Sequence, residues 1–332
     1  MPEVSLTKIF TTFLYIGCTG FGGPAIVAYI RQRVVEEKNW LEAGVFDTGA
    51  ALCQTVPGAI AMQMSAFVGW KLRGMAGAAA GFAGFGLPAF AFMLLLSIAY
   101  QAAYQNPVVT AIFAGLQAVI VAFTTNAAWL FGRNYLRSGR DIIIALSAVA
   151  LFAYNVHPFV AVIGSAGLGL FIYAGHSRPA GRTDDETVKP VWIGYAVVSG
   201  LVAVFLTGLY LLSGNLFNLS ILMMKIDLFA FGGGFSSVPI MYHEIVDVRG
   251  LLSGPAFLNG IALGQFTPGP IVITATFVGY MLYGFPGAVA ATVGIFLPSF
   301  IMVTALAPYF ERLRQSAAFN GMVRGIMCSF VG

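Results

Sequence analysis

Charge is scarce in this sequence: only 9% of its 332 residues are Asp, Glu, Lys or Arg, against about 25% in a typical soluble domain. With 58% hydrophobic residues and a mean hydropathy of +0.85, the composition excludes a water-soluble fold. Polar and apolar residues do not alternate along the apolar runs, which excludes a transmembrane barrel and leaves helices as the way to span lipid. The start, MPEVSLTKIF, has no basic stretch ahead of its apolar residues, and apolar runs recur to the end, so neither a signal peptide nor a single anchor explains them. Cys18, Cys53 and Cys328 stand alone, without CxxC spacing, and read as packing residues. His157, His176 and His243 are too scattered for a metal motif, so no metal and no cofactor are expected. The phosphate-binding loop GxxxxGK[ST] is missing, which points away from nucleotide-driven transport. The net charge of +4 comes from Lys and Arg in short loops, not from a basic run, so no nucleic-acid partner is expected. His243-Glu244 is the one adjacent acid–base pair, with no third group to orient it, and an intramembrane enzyme is a remote reading.

What is present is a duplication. Gln54-Thr-Val-Pro57-Gly58-Ala-Ile60 matches Gln265-Phe-Thr-Pro268-Gly269-Pro-Ile271, and Phe21-Gly22-Gly23 matches Phe231-Gly232-Gly233. The match continues through Phe67-Val68-Gly69 and Leu87-Pro88, which recur as Phe277-Val278-Gly279 and Leu297-Pro298. The expected organisation is a first repeat over 1–175, a polar linker over 176–190 and a second repeat over 191–332. The counterpart of 108–132 is cut short at Gly332, so either the sequence is truncated or the second repeat is natively short. Lys71 and Arg73 follow the first Pro-Gly element while the matching turn, Met281 to Gly284, is uncharged; Glu311, Arg312 and Arg314 have a neutral counterpart in turn. By the positive-inside rule the two turns face opposite sides. Spans near 75–104, 108–132, 141–156, 159–175 and 191–212 lie between them, and that odd number inverts the copies. The expected fold is therefore an all-α integral membrane protein, a polytopic bundle of two inverted repeats, each with two broken segments read as re-entrant hairpins.

The broken segments are 7–30 and 46–71, with partners 219–240 and 257–280. Gly and Pro also serve as kinks or packing points in membrane helices, but four breaks in two matched pairs point to a transporter site near the midplane. A helix that stops inside the membrane exposes N–H groups at one new end and C=O groups at the other. Half-helix N-termini carry roughly +0.5 of a charge and suit an anion. Gln54 and Gln265, three residues before each Pro-Gly, either donate to that anion or join helices. Lys225 and Asp227 precede the second Phe-Gly-Gly in an apolar run, as an anion-attracting and proton-linked pair or as interfacial charges reaching headgroups. Arg31, His243 and Glu244 lie closest to the breaks and, with Asp227, are the candidates for gating or proton coupling. Asp47 reads as a residue at a helix N-terminus.

These segments resemble the chromate ion transporter family. The resemblance rests on FGGPAIVAYIRQRVVEEKNWL, CQTVPGAIAMQMSAFVGWKLRGMAGA, MMKIDLFAFGGGFSSVPIMYHEIV and GQFTPGPIVITATFVGYMLYGFPGAVAATVGIFLPSF, which together touch both copies. It implies a secondary transporter that exports chromate across the cytoplasmic (inner) membrane and confers resistance, with sulfate-like dianions as competitors. A passive anion channel, or a carrier of another oxyanion, is the alternative. The partners expected are chromate or a similar oxyanion and the lipid bilayer, with a homodimer as an allowed assembly. Carried over by position, the family motifs fall on Phe21, Gly22, Gly23 and Pro24, on Gln54, Pro57 and Gly58, and on Lys225, Phe231, Gly232, Gly233 and Gly234. They fall as well on Gln265, Pro268, Gly269 and Pro270; the one departure is Ala59, where the family has a second proline.

Overall fold

The computed structural model describes residues 3–21, 24–154, 156–173 and 192–331. The expected linker 176–190 and the glycines Gly22 and Gly23 lie outside the described residues, as do the side chains of Pro24, Glu311, Arg312 and Arg314. Among the described residues every regular element is a helix, and the protein is an all-α membrane bundle. The helices form two compact units, each drawing on both sequence copies: Met1–Ile120 with Pro190–Ala307, and Val121–Lys189 with Pro308–Gly332.

The first unit starts with α1 (Leu6–Thr19), α2 (Pro24–Arg31), a π-helical turn (Gln32–Glu37) and α3 (Ala43–Thr55). Next comes α4 (Ile60–Ala103), which as a straight rod would be about 66 Å long, twice the ~30 Å hydrocarbon core of a bilayer. It is folded in two instead. Arg73 and Gly74 leave helical geometry, Gly74 at φ +60°, and the two arms pack back on each other. A Cβ on Gly69 would lie 2.0 Å from the carbonyl oxygen of Gly77, so the arms touch backbone to backbone. The arm beyond Gly74 is the span expected near 75–104; α5 (Pro107–Tyr135), α6 (Gly139–Ala153), α7 (Pro158–Tyr173) and α8 (Trp192–Leu212) follow where the other four spans are expected.

The second copy rebuilds the same design with α9 (Gly214–Leu228), α10 (Gly234–Tyr242), a π-helical turn (His243–Val248), α11 (Gly254–Phe266), a 3-10 turn (Ile271–Ile273) and α12 (Thr274–Leu306). In α12 the fold falls at the matched positions, Tyr283 and Gly284, with Gly284 at φ +63°, and Thr276 and Thr292 hydrogen-bond across its arms at 2.7 Å. The equivalent arms of α4 and α12 run antiparallel: Phe82 packs on Phe296 and Phe300, whereas Phe90, two turns further on, meets Phe285. Antiparallel contact between equivalent helices is the relation that inverted copies require.

The second unit packs α6 and α7 against α14 (Ala317–Ser329), which follows the short α13 (Phe310–Gln315). Small residues allow close approach, a Cβ on Gly325 lying 2.2 Å from the Ser165 carbonyl oxygen. Asp141, fully buried, closes a capping box with Ser138 at the start of α6. Arg324 grips that carboxylate with Nε at 2.9 Å from Oδ1 and Nη2 at 2.8 Å from Oδ2, and the Tyr173 hydroxyl donates to it as well.

Candidate functional site

Each Pro-Gly break is the tip of a helical hairpin. Gly49 on α3 and Phe67 on α4 stand at equal distances from Gly58 along the chain and touch, and Gly260 on α11 meets Phe277 on α12 in the same way. α3 and α11 have 13 residues each, about 20 Å of helix, so neither crosses a ~30 Å core. The short hairpins with tips at Pro57-Gly58 and Pro268-Gly269 have the form that the re-entrant reading expects. The first Phe-Gly-Gly segment also folds back on itself: the Thr19 and Tyr29 hydroxyls are 3.1 Å apart, and the Arg33 guanidinium lies 4.8 Å over the Tyr15 ring.

The tips then pair across the copies. The Gly58 N–H donates to the Ala230 carbonyl at 2.8 Å, and the Gly269 N–H donates to the Gly20 carbonyl at 3.0 Å. Ala230 and Gly20 are the residues just before Phe231-Gly232-Gly233 and Phe21-Gly22-Gly23. The C-terminal end of each broken helix is thus satisfied by the Pro-Gly tip of the other copy, where an unpaired carbonyl in lipid would cost several kcal/mol. Both tips need glycine for this, Gly58 at φ +122° and Gly269 at φ +112°.

The N-terminal ends differ, because the first turn of any helix holds N–H groups beyond its own bonding. Two of them open on one cavity of about 370 Å³: α4 at Ile60 and Ala61, and α10 at Gly232, Gly233 and Gly234. Arg31, Asp47 and Gln54 line the same cavity, and Pro270 and Ile271 close it from the second hairpin. Arg31 sits in a fork of carboxylates, with Nη1 3.0 Å from Glu36 Oε1 and Nε 3.5 Å from Asp47 Oδ1. The arrangement joins one guanidinium, one primary amide and two helix N-termini, the donor set an oxyanion takes.

Of the residues singled out from sequence, Arg31, Gln54, Gly232, Gly233, Gly234 and Pro270 meet at this cavity. Pro57, Gly58, Pro268 and Gly269 form the buried tips beside it. Of the other described residues singled out, only Asp47 lines it. Lys225 is exposed on α9, Phe21 is 56% exposed, and Phe231 and Gln265 are half-buried. His243 lies 3.5 Å from Asp247, and Glu244 is buried and paired with Arg249, both within the second π-helical turn. Asp47 is not at a helix start, since α3 begins at Ala43 and its fifth residue turns the carboxylate to Arg31.

A second polar group stands behind the cavity. Asp227 on α9 is fully buried, and its Oδ2 accepts from the Ser299 N–H at 2.8 Å and the Ser299 hydroxyl at 2.7 Å. The Ser299 hydroxyl oxygen in turn accepts from the N–H of Ala59, the N-cap of α4, at 3.2 Å. Asp227 Oδ1 is buried without a hydrogen-bond partner among the described residues. The matched positions in the first copy are Gly17 and Ala89, so this carboxylate–hydroxyl pair exists in one half alone. Arg31 and Asp47 are likewise unmatched, with Tyr242 and Leu258 at the equivalent positions. Ser299 carried a signal that motif reading passes over: it departs from its repeat partner together with Asp227.

The family model described as Chromate transporter matches residues 7–170 and 217–332 of the chain. The chain is 41% identical over 330 residues to an "uncharacterized transporter" of Methanocaldococcus jannaschii, covering 99% of this chain and 82% of the relative. It is 29% identical over 341 residues to a chromate transport protein of Cupriavidus metallidurans, with 100% and 81% covered, and 28% identical over 334 residues to a probable chromate transport protein of Synechococcus elongatus, with 100% and 83% covered. No solved structure matches it.

Proposed function

The chain belongs to the chromate transporter family, and from that premise we propose that it is a secondary transporter carrying chromate, or a sulfate-like dianion of the same shape, across the cytoplasmic membrane. The observation that carries this reading is the cavity where the N-termini of α4 and α10 open beside Arg31 and Gln54. A tetrahedral dianion fits that donor set because its oxygens can accept from two separate fans of N–H groups while the guanidinium offsets part of the charge. Names of relatives from Cupriavidus metallidurans and Synechococcus elongatus support chromate as the substrate.

Export coupled to the proton gradient is the direction and drive proposed, with Asp227 as the coupling group. Its carboxylate is buried with one oxygen unpartnered among the described residues, and the Ser299 hydroxyl links it to the Ala59 N–H at the rim of the cavity. Arg31 gates the cavity by exchanging carboxylate for substrate, while His243 and Glu244 belong to the second π-helical turn and contribute to coupling from outside the cavity. The two inverted copies rock about the shared break, exposing it to each side in turn; a homodimer is compatible with this scheme.

The test is labelled chromate flux into sealed vesicles of known orientation, with and without an imposed pH gradient and with sulfate as competitor. Gradient-driven flux that sulfate inhibits, and that Pro268→Ala/Gly269→Leu abolishes without unfolding the protein, is the expected result. A folded wild-type protein that moves no chromate under either condition contradicts the reading.

A further inference from the structure

The donor set of the cavity explains why an anion would enter, but not why a carboxylate lines the same space. Asp47 Oδ1 lies 3.5 Å from Arg31 Nε, and both residues face the cavity. An oxyanion on that edge of the guanidinium would meet the Asp47 charge a few ångströms away, and like charges at that range repel. A role in holding Arg31 does not account for Asp47, because Glu36 already accepts from Arg31 Nη1 at 3.0 Å, a shorter contact than that of Asp47. The Asp47 side chain is also 64% exposed and free to turn away. No copy of the pair exists in the second repeat, where Tyr242 and Leu258 take the two positions.

We propose that Asp47 is an internal substitute for the substrate anion, occupying the Nε edge of Arg31 in the empty cavity and giving way only to an anion that binds more strongly than it does. This rests on the reading of the cavity as an oxyanion site, and adds the residue that sets its selectivity. A dianion gains roughly twice the attraction of a monoanion from the same guanidinium and helix ends, so it displaces Asp47 where nitrate or chloride does not. Selectivity of this kind is built by repulsion of the wrong ligand as much as by attraction of the right one. The same competition keeps affinity low enough for release, which a carrier needs on its far side.

The experiment is equilibrium binding of labelled chromate to the full chain in lipid nanodiscs, with nitrate as competitor, for wild type, Asp47→Asn, Asp47→Glu and Arg31→Gln, each checked by its melting curve. Asp47→Asn should bind chromate about tenfold more tightly and let nitrate compete, Asp47→Glu should stay close to wild type, and Arg31→Gln should lose binding. In vesicle flux, Asp47→Asn should lower KM and kcat together, since tighter binding slows release. Unchanged or weaker chromate binding by folded Asp47→Asn, alongside normal binding by wild type, overturns the proposal and leaves the site reading standing. No chromate binding by folded wild type overturns both.

Discussion

At the scale of single residues, Gly58 shows how tightly the break is determined. Its φ of +122° alone costs a side chain about 1–3 kcal/mol, and a Cβ there would lie 1.9 Å from the Ser299 Oγ. Gly269 has a similar φ, but its Cβ would meet the Ala89 methyl at 2.8 Å. Gly58→Ala should therefore lower the melting temperature more than Gly269→Ala, while Gly44→Ala, with open space around it, should leave it unchanged or slightly raised. Thermal unfolding in detergent reads all three; equal losses at 58 and 269 would show that Ser299 yields freely. Asp227 separates stability from coupling. An asparagine oxygen can still accept from the Ser299 N–H and hydroxyl, so Asp227→Asn should keep its fold but move chromate at a rate independent of the pH gradient. Flux that remains gradient-driven in this variant would place the coupling proton elsewhere.

Among the elements, the broken segments were legible in the sequence because Gly and Pro mark them in pairs, and the five helices between the turns because hydropathy marks them, although α6 and α7, with 15 and 16 residues, are shorter than the ~20 that a span needs. The pairing of the tips was not legible. A hydrogen bond from Gly58 to the Ala230 carbonyl uses only backbone atoms, and leaves no trace in residue type beyond the glycine itself. The cavity falls between these classes: Arg31 and Gln54 were readable from their nearness to the breaks, whereas Asp47 needed α3 to be placed against α2, and Lys225 is exposed on α9 outside the cavity lining. In the second unit the grip of Arg324 on Asp141 ties α14 to α6. Breaking a buried pair by removing one partner typically costs about 3–5 kcal/mol, so Arg324→Leu should destabilise far more than Arg324→Leu combined with Asp141→Asn. Equal melting temperatures for the single and double variants would mean that the buried carboxylate finds other compensation.

For the whole molecule, inversion is the relation on which the proposed rocking of two halves about one shared site rests. The antiparallel contact of the α4 and α12 arms supports it, and so does the charge difference between the turns at Arg73 and Tyr283. In a chain freed of Cys18, Cys53 and Cys328, cysteines placed by Arg73→Cys and Tyr283→Cys should react with an impermeant thiol reagent from opposite faces of sealed vesicles; labelling from one face would refute inversion. The central claim is the location of the anion. Anomalous diffraction from crystals grown with chromate tests it directly, because the metal centre marks the oxyanion without dependence on flux or folding controls. The predicted peak lies in the cavity beside Arg31, within hydrogen-bonding reach of the first turns of α4 and α10. A peak at Lys225 instead, or an empty cavity in a crystal of protein that binds chromate, would contradict the account.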